Sequence, residues 1–145
     1  MRHPLLFLLL LCSFSAFSQK WYTSMAEAKI IATKENKPVI LVFSGSDWCA
    51  PCIKLEKNIW QSEEFKKEAD KNWILVKADF PKKKNNKQPE ELKAQNQVLA
   101  EKYNKEGFFP LVVVLDKTGK VMGKTGYENI KPSEYIARIK SHITR

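Results

Sequence analysis

Cys49 and Cys52 stand two residues apart in the run Trp48-Cys49-Ala50-Pro51-Cys52. Two thiols at this spacing can pass reversibly between dithiol and disulfide. One sulfur captures a partner sulfur, and its neighbour then displaces what was captured. The reactive form is the thiolate, which the amide groups at a helix start stabilise. The flanking sequence predicts such a start. A β-branched apolar run, Val39 to Phe43, precedes the motif, and a stretch with helical character, Ile53 to Lys67, follows it. Cys49, at the helix tip, is the expected nucleophile. Cys52, one turn further in, is the expected resolving thiol and should be the more buried of the two. Trp48 would shield the pair and shape the contact surface, and Pro51 suits a first helical turn.

Competing chemistries find little support. Beyond residue 18 the chain holds only these two cysteines and one histidine, His142, whereas a closed zinc site needs four ligands. Covalent haem attachment needs a histidine where Ile53 stands. There is no glycine-rich phosphate loop and no histidine placed for a hydrolytic triad. No metal and no cofactor is expected.

The first eighteen residues differ from the rest. Arg2 and His3 precede an apolar block, Leu5 to Leu11, and small residues follow up to Ala16-Phe17-Ser18. This is the pattern of a cleavable secretory signal, and the block is short for a membrane span. Leu11 before Cys12 makes a poor lipidation site. The expected organisation is a signal peptide over 1–18 and one domain over 19–145, exported to the periplasm or an equivalent compartment, with no stable membrane insertion after cleavage. In the mature chain the two remaining cysteines would bridge only two residues. Such a bridge closes almost no loop and adds little stability, so redox use is the better reading.

The chain has 145 residues, 43% hydrophobic and 28% charged, a composition suited to one globular domain with a real core. Its formal charge is +9. Much of the excess sits in Lys82, Lys83, Lys84 and Lys87. Export and the lack of interleaved aromatics argue against nucleic acid. The run reads as a solvated loop, able to attract acidic partners or anionic lipid.

The elements that must position the thiols follow from local signals. Ser24 and Glu27 form a capping box for a helix ending near Asn36, because Pro38 restrains Lys37 to extended geometry. The continuous Val39–Phe43 run predicts a strand covered on both faces. After the helix that follows Cys52, Trp73 to Ala78 predicts a second buried strand ending near Asp79. Pro89-Glu90-Glu91 opens a further helix, with Gly107 closing it. Leu111 to Leu115 is a third strand, turned by Lys117-Thr118-Gly119-Lys120 into an antiparallel partner from Val121. A last helix starts near Pro132. The predicted order is helix, strand, helix, strand, helix, strand, strand, helix. Early crossovers should give parallel strands and the late turn an antiparallel edge.

That order, with Trp-Cys-x-x-Cys closing the first long strand, resembles the thioredoxin family, and the exported bacterial members in particular. The likeness runs from about Trp21 to Ile143. It implies an α/β thioredoxin fold, a mixed central sheet with an antiparallel edge hairpin, flanked by helices. It also implies a cis Pro110 lying against the thiol loop, Phe109 offering backbone groups to an incoming peptide, and Gly126 keeping the binding groove open. Two departures stand out. Thioredoxins bury an aspartate beneath the thiols, paired with a lysine of the next strand. Here the carboxylate position falls on Val42 or Phe43 and the lysine position on Leu75, so apolar packing should replace the ion pair. The lysine-rich insert from Pro81 to Gln88 is the second departure. Asp47 and Glu56, beside the motif, read as solvated surface groups, and Trp21, Trp60 and Trp73 as core.

The resemblance implies an exported thiol:disulfide oxidoreductase acting on protein or peptide disulfides, monomeric, and supplied with electrons by a membrane-embedded thiol donor. Ala50 and Pro51 place no cation between the cysteines, so the Cys49 thiol should be only moderately acidified. That favours a reductase or isomerase, with a potential of about −200 to −270 mV by analogy with reducing members of the class. The alternative is a thioredoxin-like module that binds clients with little turnover, a reading that the missing buried acid keeps open.

Overall fold

The computed structural model describes residues 19–144. The expected signal peptide, with Cys12, lies outside the described residues. Five strands form one sheet in the order β1-β3-β2-β4-β5. They are β1 (Trp21–Tyr22), β2 (Val39–Ser44), β3 (Ile74–Asp79), β4 (Leu111–Leu115) and β5 (Val121–Thr125). Five helices cover the sheet: α1 (Met25–Glu35), α2 (Ala50–Leu55), α3 (Glu63–Asn72), α4 (Glu90–Tyr103) and α5 (Pro132–Ile143).

β2 is the central strand, and every residue in it is buried. Its unbroken apolar run serves two cores because successive side chains point to opposite faces. Val39, Leu41 and Phe43 pack with Ala28 and Ala32 of α1 and with Leu99 and Tyr103 of α4. Ile40 and Val42 pack on the other face with Leu55, Phe65, Tyr135 and Ile139. Fixed on both faces and hydrogen-bonded along both edges, β2 delivers the chain to the thiol motif at a defined point.

Several local signals act as the sequence implies. The Ser24 hydroxyl accepts from the Glu27 amide, and Asn36 closes α1 in the left-handed conformation. β4 and β5 form the antiparallel hairpin. The peptide bond between Phe109 and Pro110 is cis.

The structure departs from the sequence expectation in four places. β1 is additional: two residues pair in parallel with Leu75 and Val76 of β3, too short a segment to show periodicity. The stretch from Ile53 to Lys67 is not one helix. α2 ends at Leu55, a π-helical turn runs from Glu56 to Trp60, and Ser62 caps a separate α3 by accepting from the Phe65 amide. Ile53, where that stretch begins, is 47% exposed. β4 runs antiparallel to β2 itself, so antiparallel pairing reaches the centre of the sheet. Finally, α4 ends at Asn104, whose side chain bonds both the amide and the carbonyl of Phe108; Gly107 lies three residues further on.

Candidate active site

The chain leaves β2 at Ser44 and turns through Gly45-Ser46-Asp47-Trp48 into α2. The turn is closed by the Gly45 carbonyl, which accepts from the amides of Trp48 (3.2 Å) and Cys49 (2.9 Å). It is tied to the end of β3 by Asp79, whose carboxylate accepts from the Ser46 amide (2.9 Å) and hydroxyl (2.6 Å). Cys49 caps α2 and Pro51 occupies its first turn.

Cys49 and Cys52 are joined as a disulfide, with Cα atoms 5.2 Å apart. Burial does not separate them as expected: their residues are 4% and 3% exposed. Their hydrogen bonds differ in partner. Cys49 Sγ accepts from the Cys52 amide at 3.3 Å, as a cap does. Cys52 Sγ accepts from the Gly45 amide, in the turn after β2, at 3.4 Å. The first contact favours negative charge on Cys49 once the bridge is open.

Trp48 forms the outer wall and is 39% exposed. Its indole N–H donates to the Phe80 carbonyl at 2.7 Å, and its ring meets Phe109 edge-on at 5.4 Å. Phe80 also packs edge-on against Phe109. Trp48, Phe80 and Phe109 thus form one aromatic surface beside the disulfide. Phe80 is a residue that sequence reasoning missed; its position directly before the insert was the available signal. Pro110 opens the approach to β4, and Gly126 sits beside it. A methyl group on Gly126 would lie 3.7 Å from the Pro110 carbonyl oxygen, an ordinary contact. The Gly126 carbonyl accepts from the buried Tyr135 hydroxyl at 2.7 Å, and burial raises the pKa of that hydroxyl.

The ion pair expected to be absent has a counterpart. Leu75 packs with Ile40 and Val42 in the apolar core as expected, but strand register sets Lys77 opposite Val42, so a lysine of β3 does stand beside it. Lys77 Nζ bonds Glu56 at 2.7 Å, and Glu56 also accepts from Gln61 at 2.6 Å. Glu56 is no free surface group. It follows Cys52 by four residues, which places both on one side of the helix. Cys52, Glu56, Lys77, Ser44 and Ser46 line one cavity of about 400 Å³. A lone lysine in an otherwise apolar strand demands a partner, and that was the signal available for this pair.

Asp47 is likewise engaged. Its carboxylate accepts from the amides of Lys82 (2.9 Å) and Lys83 (3.0 Å) and from the Asn86 side chain (2.9 Å). The Lys82 amide and the Asn86 side chain hold it below the usual carboxylate range. The insert is therefore fastened to the residue before Trp48, and Lys82 Nζ lies 3.8 Å above the Trp48 ring.

Comparison with known proteins agrees with this geometry. A family model described as thioredoxin-like matches residues 20–117. The chain is 40% identical over 129 residues to the disulfide bond reductase DsbH of Chlamydia pneumoniae, covering 89% of this chain and 75% of that protein. A solved structure titled DsbH oxidoreductase superposes with a TM-score of 0.80 at 40% identity, over 88% of this chain and 87% of the other. A thioredoxin from Thermus thermophilus shares the fold, with a TM-score of 0.65 at 18% identity over 88% of each chain.

Proposed function

From the premise that this chain belongs to the thioredoxin-like family, we propose that it is a thiol:disulfide oxidoreductase that reduces protein disulfides through Cys49 and Cys52. The observation that carries the reading is the Cys49–Cys52 bridge at the start of α2, with the Cys49 sulfur accepting from the Cys52 amide and the Cys52 sulfur from the Gly45 amide.

The reduced enzyme begins with a Cys49 thiolate. It attacks one sulfur of the client disulfide, forms a mixed disulfide, and expels the other client sulfur as a thiolate that takes up a proton. Cys52 then loses its proton, attacks the Cys49 sulfur, and releases the second client sulfur. Two electrons pass to the client, and the Cys49–Cys52 disulfide is left. The Cys52 proton needs an acceptor. We assign that role to Glu56, held by Lys77 at the cavity that Cys52 lines. With a carboxylate provided, nothing in the site favours the alternative of a binding module without turnover.

Trp48, Phe109, Pro110 and Gly126 form the client surface in this reading. The pattern of residues 1–18 supports export, with 19–145 as the mature domain. A thiol donor, membrane-embedded by analogy with exported reductases, would return the chain to its reduced form. Reduction of insulin with a dithiol donor tests the proposal. The chain should catalyse it and Cys49→Ser should not, and equal rates would remove the thiol pair from the chemistry. Equilibration with glutathione should place the potential between about −200 and −270 mV; a value near about −120 mV, that of a strong oxidant, would reverse the assigned direction.

A further inference from the structure

The insert that interrupts the chain after β3 is not a loose extension. Its backbone is fastened by Asp47, with a short 3-10 turn over Lys84–Asn86. Between the insert and α4 lies the largest cavity among those described, about 700 Å³. Phe80 lines this cavity and also belongs to the aromatic surface beside the disulfide. The cavity therefore continues the client surface.

Two independent features define what it would accept. The first is charge. Lys83, Lys84 and Lys87 line the cavity, and among the described residues none of them is ion-paired. The acids nearby form no ion pair with them: Asp47 is bonded to the insert backbone and feels the Lys83 charge, Asp79 is bonded to Ser46, and Glu90 is bonded to Lys93 at 2.7 Å and feels the Lys87 charge. The second is Asn96 of α4, which also lines the cavity and is 1% exposed. Its side-chain N–H donates to the Asp79 carbonyl at 3.0 Å, which fixes the amide orientation. Its oxygen has no partner. A buried acceptor left unmade is costly, and a donor from a ligand would satisfy it. Bare phosphate offers that oxygen little. A polypeptide offers both a backbone N–H and carboxylates.

We infer that the groove between the insert and α4 is a docking site for an acidic peptide segment flanking the client disulfide. Carboxylates of the segment meet Lys83, Lys84 and Lys87, and a backbone N–H reaches Asn96. This rests on the oxidoreductase reading and adds a preference among clients to it.

The test uses two disulfide-bridged peptides of equal length, one flanked by Asp and Glu, the other by Asn and Gln. Their reduction by the full chain is compared with that by Lys83→Gln/Lys84→Gln/Lys87→Gln. Each protein's rates are normalised to its own rate on the small neutral disulfide 2,2′-dithiodipyridine. The acidic peptide should show a kcat/KM about tenfold above the neutral one at low salt, as several weak exposed ion pairs allow. Raised salt and the triple variant should each erase the gap. Asn96→Leu, checked for folding by circular dichroism, should weaken both peptides while leaving the acidic preference. Equal kcat/KM for the two peptides in the wild type, or a preference surviving the triple variant, overturns the inference. So does competition by polyphosphate or anionic vesicles with no preference between peptides. Loss of turnover on 2,2′-dithiodipyridine by the wild type would instead strike the oxidoreductase reading itself.

Discussion

Replacing Glu56 with glutamine separates a proton acceptor from a structural ion pair. The two roles predict effects of very different size. Glu56 and Lys77 are 39% and 24% exposed in their side chains, and a pair so open to solvent contributes at most about 1 kcal/mol to stability. Glu56→Gln should therefore shift the denaturation midpoint slightly. General base catalysis is worth about 10²–10⁴ in rate. The cavity beside Cys52, about 400 Å³, is roomy enough for water to act as a poorer substitute, so the lower end applies. The resolving step should slow by about 10² at neutral pH, equivalent to about 2.7 kcal/mol of barrier, more than the stability loss could produce. The assay is single-turnover release of a fluorescent peptide from a preformed mixed disulfide on Cys49. The defect should shrink as pH rises past about 8.5, where a free cysteine ionises unaided. Lys77→Met, which keeps the carboxylate, should slow the step less. A Glu56→Gln rate within about twofold of wild type at neutral pH would refute the assignment.

Three further outcomes follow from the geometry. A methyl group on Gly45 would run into the Trp48 indole; Gly45→Ala should displace that ring from the Phe80 carbonyl, cost about 1–3 kcal/mol in chemical denaturation, and raise KM for peptide disulfides more than for small ones. Asp47 titrates below its ordinary value of 3.8. A depressed carboxylate contributes stability above its unfolded pKa and loses it as pH falls through the folded one, so the Lys82 and Lys83 amide resonances should shift with a midpoint more acidic than that of an ordinary aspartate; Asp47→Asn should expose the insert to tryptic nicking at neutral pH, and equal nicking rates would mean that the insert is held by other contacts. Tyr135→Phe strands the Gly126 carbonyl and should cost about 1–3 kcal/mol in urea unfolding; no change would show the carbonyl to be solvated.

What sequence could reveal here depended on the range of the interaction. The thiol spacing, the Ser24 cap and the turn at Gly119 are local, and each stands where it was read, though Ser24 accepts from the Glu27 amide without the reciprocal bond of a full capping box. β1 could not be seen because two residues carry no period and gain their place only by pairing with β3. The π turn after Leu55 leaves the apolar spacing nearly intact, so one long helix was the natural reading. The Glu56–Lys77 pair was missed for a different reason. It joins residues 21 apart, and only the register between β2 and β3 shows which residue stands beside Val42. Asp47 is similar, since its partners lie 35 to 39 residues away. Even where motif and fold were legible, the near-equal burial of Cys49 and Cys52 was not, because it depends on tertiary packing around the loop.

The centrality of β2 has a bearing on how long the redox geometry lasts. A strand laddered on both edges and covered on both faces exchanges its amides only when the whole molecule opens. The thiol loop is the direct continuation of that strand, with five residues, 45–49, between the end of β2 and the start of α2. The insert is bonded to the same loop through Asp47, so the loop is held from the strand on one side and from the insert on the other. A protein of this build should keep its sulfurs presented for as long as its central strand stays paired, so loss of redox geometry should track unfolding of the sheet.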